Sequence, residues 1–421
     1  MKIKVKKLDY DKVLSLRLPK REKPKKPSRL LAKIINLAAK KDLKDVNFTF
    51  SFPDRDKIGQ GPFFIIMNHS SFIDLEIVNR IFYPTPYNIV CTSDGLMGKY
   101  SLMRNIGCIP TKKFVTDAEL IGDIYYALHH NKTSVLMFPE ASYSFDGTAT
   151  PLPSRLGLLF KKLNVPVVMV RTYGAFLRDP LYNGLQKRKV NVSADVKVLF
   201  DAKSVCSLSV NEMDEILARE FSVDNFALQK ENGVVVSESF RADGLHRILY
   251  KCPACGAEGK TEGKGERLRC LHCGKSYFMT EYGEMQAENG ENTEFSHIPD
   301  WYAWERDCVK AELVSGKYET DIPVKIGMIV DYKAMYEVGE GRLVHDRNGF
   351  VLTGCDGKLR YRQKPSASYG LYADYFWYEI GDVICIGNSD ALYYCFPLDG
   401  FPVAKARLAA EEAFKLWRQK L

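Results

Sequence analysis

The sequence lacks any run of 18 or more apolar residues, so no membrane-spanning helix is expected. Its N-terminal stretch is charged but has no apolar core of signal-peptide length, so no secretory leader is expected. It also lacks a disulfide-like cysteine framework. The 11 cysteines are an odd number, four of them fall in a metal-type pattern, and the other seven are scattered. A reducing cytosol is the expected compartment. Net charge is scarce outside one segment. The formal total is +8, and residues 1–29 hold twelve Lys/Arg against three Asp/Glu, which leaves the rest of the chain at −1. Basicity therefore belongs to an N-terminal arm, residues 1–27, and suits an anionic partner, either membrane lipid or nucleic acid. A solvated tail is the alternative. What is present is ample core material: 421 residues, 46% hydrophobic and 12% aromatic, enough for two or three domains.

One stretch organises the rest: Phe63-Phe64-Ile65-Ile66-Met67-Asn68-His69-Ser70-Ser71-Phe72-Ile73-Asp74. The apolar run reads as a buried strand. Apolar residues at helical spacing follow over 72–82, with Ser70 or Ser71 as cap and Asp74 one turn in. His69 thus falls at the carboxyl end of a strand, where open α/β sheets bind ligands. A histidine there can take a proton from a hydroxyl, and a carboxylate on its other ring nitrogen would fix the tautomer. A structural histidine near a surface aspartate is the bland alternative.

Three more blocks follow in order: Gly107-Cys108-Ile109-Pro110-Thr111-Lys112-Lys113, Phe138-Pro139-Glu140-Ala141-Ser142 and Val165-Pro166-Val167-Val168-Met169. With Asn68-His69-x4-Asp74 they resemble the four blocks of the glycerolipid acyltransferase family, lysophosphatidate acyltransferase type, over roughly residues 30 to 205. Ala141 stands where the family has glycine, and Met169 where it has a second proline. The resemblance implies acyl transfer from a thioester, acyl-CoA or acyl carrier protein, to a hydroxyl of a lysophospholipid. The favoured acceptor is 1-acylglycerol 3-phosphate, giving phosphatidate in phospholipid biosynthesis. It implies His69 as general base, Asp74 as its orienting partner, and Gly107, Lys112, Lys113, Glu140 and Ser142 around the acceptor, with Arg155 as a further phosphate candidate. Another acceptor is a rival: glycerol 3-phosphate, a different lysolipid or a glycolipid precursor. So is a binding module, for nucleic acid or protein, built from the arm and the cysteine segment on a degenerate scaffold.

The remaining sequence fits around this. Ser28 caps an expected helix, Arg29 to Lys41, whose face of Leu30, Leu31, Ile34, Ile35, Leu37 and Ala38 suits a membrane interface or the chain's own domain. Strands at 62–67, 88–91, 106–109, 134–138 and 165–171 alternate with helices at 72–82, 94–104, 117–130 and 154–163. This rhythm predicts an α/β fold with a mainly parallel, helix-covered sheet. A half-exposed strand at 190–200 suits its edge. Helices at 117–130 and 209–230 open with Thr116-x-x-Glu119 and Ser209-x-x-Glu212 boxes. Cys252-x-x-Cys255-Gly256 and Cys270-x-x-Cys273-Gly274 predict a zinc ribbon with structural zinc, His272 facing solvent. Polar residues 283–296 read as a linker. Short strands from about 310 to 396 and a helix over 403–421 predict a mostly β C-terminal domain, either pleckstrin-homology-like by element order or a small β-sandwich. The expected units are 1–41, 42–240, 241–282 and 297–421, in a cytoplasmic protein peripherally bound to the inner face of the membrane.

Overall fold

The computed structural model describes residues 3–17, 19–112 and 117–419. Lys113 and Thr116 lie outside the described residues.

The Phe64–Met67 strand sits at the centre of a seven-stranded sheet. The strand order is Thr49–Ser51, Ser193–Phe200, Val167–Tyr173, Phe64–Met67, Ser134–Met137, Tyr87–Thr92 and Cys108–Thr111. The five strands from Val167–Tyr173 to Cys108–Thr111 run parallel. Phe64 and Ile66 enter the core on one face, Ile65 and Met67 the core on the other. Burial on both faces is why the strand reads as an unbroken apolar run. The Ser193–Phe200 strand is antiparallel to its neighbour, and it is not the edge. The short Thr49–Ser51 strand pairs with its outer side.

Local signals at the helix ends were partly redirected. Ser28 caps the Arg29–Asp45 helix by accepting from the Leu31 N–H. The Ser209/Glu212 box forms with both of its hydrogen bonds. The Ala118–His129 helix is instead capped by Asp117, whose carboxylate accepts from the Leu120 N–H. Neither Ser70 nor Ser71 is the cap of the Asp74–Phe82 helix: Ile73 takes the N-cap position, and Asp74 is the first helical residue.

The cysteine segment forms a four-stranded antiparallel sheet, Thr261–Lys264, Arg267–Cys270, Ser276–Met279 and Met285–Ala287. Residues 283–296 therefore do not form a free linker. Met285 is fully buried, and Glu294 binds the Lys275 ammonium and the Tyr277 hydroxyl. A 17-residue helix, Ile298–Val314, follows, which no periodicity in the sequence marks. Its apolar positions are mixed with buried Glu305 and many aromatics, so no clean stripe marks it. The C-terminal unit is an antiparallel meander in the order Leu359–Gln363, Gly349–Gly354, Met335–Asp346, Glu319–Met328, Leu392–Pro397, Gly381–Gly387, Tyr372–Trp377, followed by the Val403–Arg418 helix. One core joins ribbon residues Leu268, Tyr277 and Met279, helix residue Trp301, meander residues such as Ile326 and Leu352, and Phe145 and Phe176 from the α/β unit.

The basic arm is not a free tail. Val5–Lys7 adds a parallel strand to Met335–Asp346 of the C-terminal sheet. Further on, the arm crosses the α/β unit. The Arg104 guanidinium donates to the carbonyls of Glu22 and Lys23, Asn131 to that of Pro24 and Asn88 to that of Lys25. Arg21 is neutralised by Asp117, Glu119 and Asp123. Gly107, at the left-handed C-cap of Tyr100–Ile106, lies beneath this strap: a Cβ there would come within 2.7 Å of the Pro27 ring. Among the described residues no helix is long and apolar enough to cross a membrane.

Candidate active site

His69 follows the Phe64–Met67 strand directly, and its position is set from three sides. Asn68 is buried and ties this strand end to the next. Its Oδ1 accepts from the Thr172 N–H, and its Nδ2 donates to Thr172 Oγ1 and Ser70 Oγ. The His69 N–H donates to Glu140 Oε2 at 2.8 Å. The ring bonds Asp74 Oδ2 through Nδ1 at 2.9 Å.

Asp74 is 1% exposed, and the same Oδ2 accepts from the Ser70 and Ser71 N–H groups. A carboxylate only accepts, so the Nδ1 of His69 carries the ring proton and Nε2 presents a lone pair. Among the described residues nothing bonds Nε2. Both faces of the imidazole are covered by rings, Phe138 at 4.2 Å and Tyr143 at 3.8 Å between centroids. Phe72, which is exposed, stacks on the far face of Tyr143. With Nδ1 held and the faces covered, Nε2 is the edge left open. A base that abstracts a hydroxyl proton needs this arrangement.

The carboxylate of Glu140 is fully engaged within the chain. Besides the His69 N–H, it accepts from the Thr150 N–H and hydroxyl through Oε1. Burial pushes its carboxyl up, and these bonds and His69 pull it down. Its visible role is to brace the His69 backbone against the 141–150 loop. Ser142 Oγ accepts from the Arg407 guanidinium, 265 residues away. Lys112 donates to the Ser389 carbonyl of the C-terminal meander at 2.9 Å. Arg155 is exposed at the N-cap of the Leu156–Leu163 helix. A cavity of about 350 Å³ lies on the Thr150 side of the Glu140 brace, lined by Thr150, Leu152, Leu156, Leu217 and Phe221, with Asp214 as its acid, and neither His69, Lys112, Ser142 nor Arg155 lines it. The sequence offered no signal for Tyr143, Thr150 or Arg407, because each reaches the site through a turn or a distant segment.

Ala141 adopts φ 55°, in the left-handed region. That accounts for a glycine being usual at this point of the resembling family, because a Cβ disfavours this conformation. Ala141→Gly is expected to stabilise the fold by on the order of 1 kcal/mol. Denaturant unfolding of the two proteins measures this, and a loss of stability would contradict the backbone account.

In the ribbon, Cys252, Cys255, Cys270 and Cys273 bring their sulfurs within 4.8 Å of one another. The Cys252–Cys273 and Cys255–Cys270 separations are both 3.8 Å. Four thiolates about 2.3 Å from one ion would stand about 3.8 Å apart at the corners of a tetrahedron. The donor set therefore fits a metal ion. Gly256 and Gly274 turn at positive φ, and their N–H groups close each knuckle on the Cys252 and Cys270 carbonyls. His272 is exposed beside this set.

A family model described as Acyltransferase matches residues 45–172, which span the His69–Asp74 pair and the Glu140 brace. Among curated proteins none matches the chain. Among solved structures the chain is similar to the 1-acyl-sn-glycerophosphate (LPA) acyltransferase PlsC from Thermotoga maritima. The identity is 16%, over 46% of this chain and 79% of that chain, with a TM-score of 0.37. The match over residues 45–172 identifies an acyltransferase-type domain within the α/β unit of this chain.

Proposed function

We propose that this protein transfers an acyl group from a thioester, acyl-CoA or acyl carrier protein, to a hydroxyl of a lysophospholipid, with 1-acylglycerol 3-phosphate as the favoured acceptor. The observation that carries the reading is the His69–Asp74 pair at a strand end inside the acyltransferase domain. His69 Nε2 takes the proton of the acceptor hydroxyl as its oxygen attacks the thioester carbonyl. The tetrahedral adduct collapses to the new ester, the C–S bond breaks, and the imidazolium returns the proton to the leaving thiolate. Asp74 stabilises the imidazolium between these steps. No enzyme nucleophile is needed. For the acceptor phosphate we assign Lys112, which would exchange its Ser389 carbonyl for the ligand, together with Lys113 and Arg155; Gly107 and Ser142 are assigned to the same subsite, and Glu140 serves it by bracing the His69 backbone. A thioester-dependent assay over a panel of lysolipids and glycerol 3-phosphate tests the reading. Turnover on 1-acylglycerol 3-phosphate supports it, turnover only on another acceptor moves the specificity, and none on any acceptor rejects it. The four cysteines would hold a structural zinc, which would pin the ribbon and supply no step of the chemistry.

The acceptor resides in a bilayer, and the Arg29–Asp45 helix supports peripheral docking on an anionic leaflet. Ala39 and Leu43 pack against the domain, whereas Leu30, Ile34 and Leu37 are 68%, 51% and 54% exposed. Lys20, Lys23, Lys25 and Lys26 of the strap are exposed as well, whereas Arg21 is neutralised by its carboxylates. Each engaged cation near an anionic surface contributes roughly 1 kcal/mol, fading within a Debye length of about 8 Å. Neutralising those four lysines is expected to weaken sedimentation with anionic vesicles and flatten its salt dependence. Leu30→Glu with Ile34→Glu and Leu37→Glu is expected to weaken it at every salt concentration. Unchanged sedimentation of both variants would remove this surface from the reading.

A further inference from the structure

The C-terminal helix Val403–Arg418 places one cation directly behind the site. Arg407 is 4% exposed, and its guanidinium is used on every side. Nη2 donates to Ser142 Oγ at 3.2 Å, Nη1 to the Tyr143 carbonyl at 3.4 Å, and Nε to Glu411 at 3.1 Å. Its face lies 4.0 Å from the Phe145 ring centroid. Three contacts, at Ser142, Tyr143 and Phe145, thus anchor the loop that follows Glu140. A buried cation is tolerated because Glu411 balances it, and Glu411 in turn is paired with Arg306 of the Ile298–Val314 helix at 2.7 Å.

The loop's importance lies in the Tyr143 ring, which covers one face of the His69 imidazole. The imidazole has one hydrogen bond, to Asp74, and a single bond leaves the ring free to tilt about it. The stack between Phe138 and Tyr143 removes that freedom. Phe138 stands at the end of the Ser134–Met137 strand and is held by the sheet. Tyr143 stands in a loop, and Phe72 on its outer face is exposed and gives little restraint. The backbone beneath Tyr143 is held by Arg407.

We infer that Arg407 is a positioning residue: through Ser142 and Tyr143 it holds the imidazole of His69, so a helix outside the matched domain forms part of the active site. This rests on the reading of His69 as the base. A planar guanidinium can serve a hydroxyl, a carbonyl and a carboxylate together, whereas an ammonium is a point charge without that fork.

The test uses the full chain as wild type, Arg407→Met, Arg407→Lys and Arg306→Gln. The first readout is the rate at which diethyl pyrocarbonate modifies His69, followed on the folded protein by peptide mass spectrometry. It needs no acyl substrate, so it stands apart from the function assay. The second is kcat and KM. Arg407→Met is expected to raise the His69 modification rate several-fold and to lower kcat about ten- to hundred-fold, with KM for the acceptor nearly unchanged, as for a misplaced reacting group. Arg407→Lys is expected to show the same changes in smaller degree. Arg306→Gln, which weakens the same buried ion pairs without touching the loop, is expected to lower the unfolding temperature while leaving both readouts near wild type. A folded Arg407→Met protein with an unchanged modification rate overturns the inference, whatever its activity. So does an Arg306→Gln protein that changes His69 reactivity equally. If Arg407→Met does not fold, Arg407→Lys, which keeps a charge beside Glu411, carries the same two outcomes. An active His69→Ala protein would defeat the general-base reading and leave the modification result standing.

Discussion

Replacing His69 with alanine is expected to lower turnover by about two to four orders of magnitude, the usual contribution of a general base. The neutral hydroxyl of the acceptor is a poor nucleophile at neutral pH, and Nε2 of His69 is the lone pair aimed away from the protein's own hydrogen bonds. The imidazole also fills a slot between Phe138 and Tyr143, so its loss leaves a gap. Thermal unfolding of the variant must therefore accompany the kinetics, and His69→Gln, which fills more of the slot, provides the matched comparison. Asp74→Asn is expected to be impaired as well, by a different route. An amide oxygen can still accept from the Ser70 and Ser71 N–H groups, so the turn survives. The neutral amide cannot stabilise an imidazolium, and its N–H₂ can present a donor to Nδ1 and favour the wrong tautomer. A folded His69→Ala protein with wild-type turnover would end the mechanism.

Removing the metal is expected to have the largest effect on stability. Elemental analysis should find one zinc per chain, and Cys252→Ser should lower the unfolding temperature by several degrees or more. Free energies of zinc binding in small peptides are about 10–16 kcal/mol, and in such sites binding free energy is folding free energy. The damage should spread beyond the ribbon. Leu268, Tyr277, Met279 and Met285 share a core with Leu245, Ile248, Leu249 and Trp301, so a loosened ribbon uncovers the base of the C-terminal unit. Below the new unfolding temperature, the chemistry at His69 should persist, because no cysteine of the cluster contacts the pair. Absence of metal from the native protein, with all four thiols freely reactive, would reject the zinc assignment.

Much of the α/β unit was legible from local pattern. The central strands were expected at 62–67 and 134–138 and occur at Phe64–Met67 and Ser134–Met137, because a doubly buried strand must be apolar throughout. The ends of elements were less legible. The spacing predicts Asp74 one turn inside its helix, whereas it is the first helical residue, where its carboxylate serves the N–H groups of Ser70 and Ser71. The polarity of residues 283–296 predicts a linker. The Met285–Ala287 strand is three residues long, and only pairing with Ser276–Met279 defines it.

By itself the sequence determined what depends on neighbours along the chain. That includes the strand ending at His69, the five-residue spacing to Asp74, the two cysteine knuckles with their glycines, and the Ser28 and Ser209 caps. Each is a short-range matter of periodicity, hydrogen-bonding side chains or turn conformation. Tertiary structure alone decided what depends on residues far apart. It laid the basic arm across the α/β unit, where Arg21 meets three carboxylates and cannot serve a lipid surface. It turned Leu30, Ile34 and Leu37 outward while Ala39 and Leu43 became core. It engaged Glu140 with His69 and Thr150, and it brought Arg407 to Ser142 across 265 residues. The reason is physical: a buried charge or carboxylate is stable only beside its partners, and which partners arrive is set by how sheets and helices pack, which no local pattern encodes.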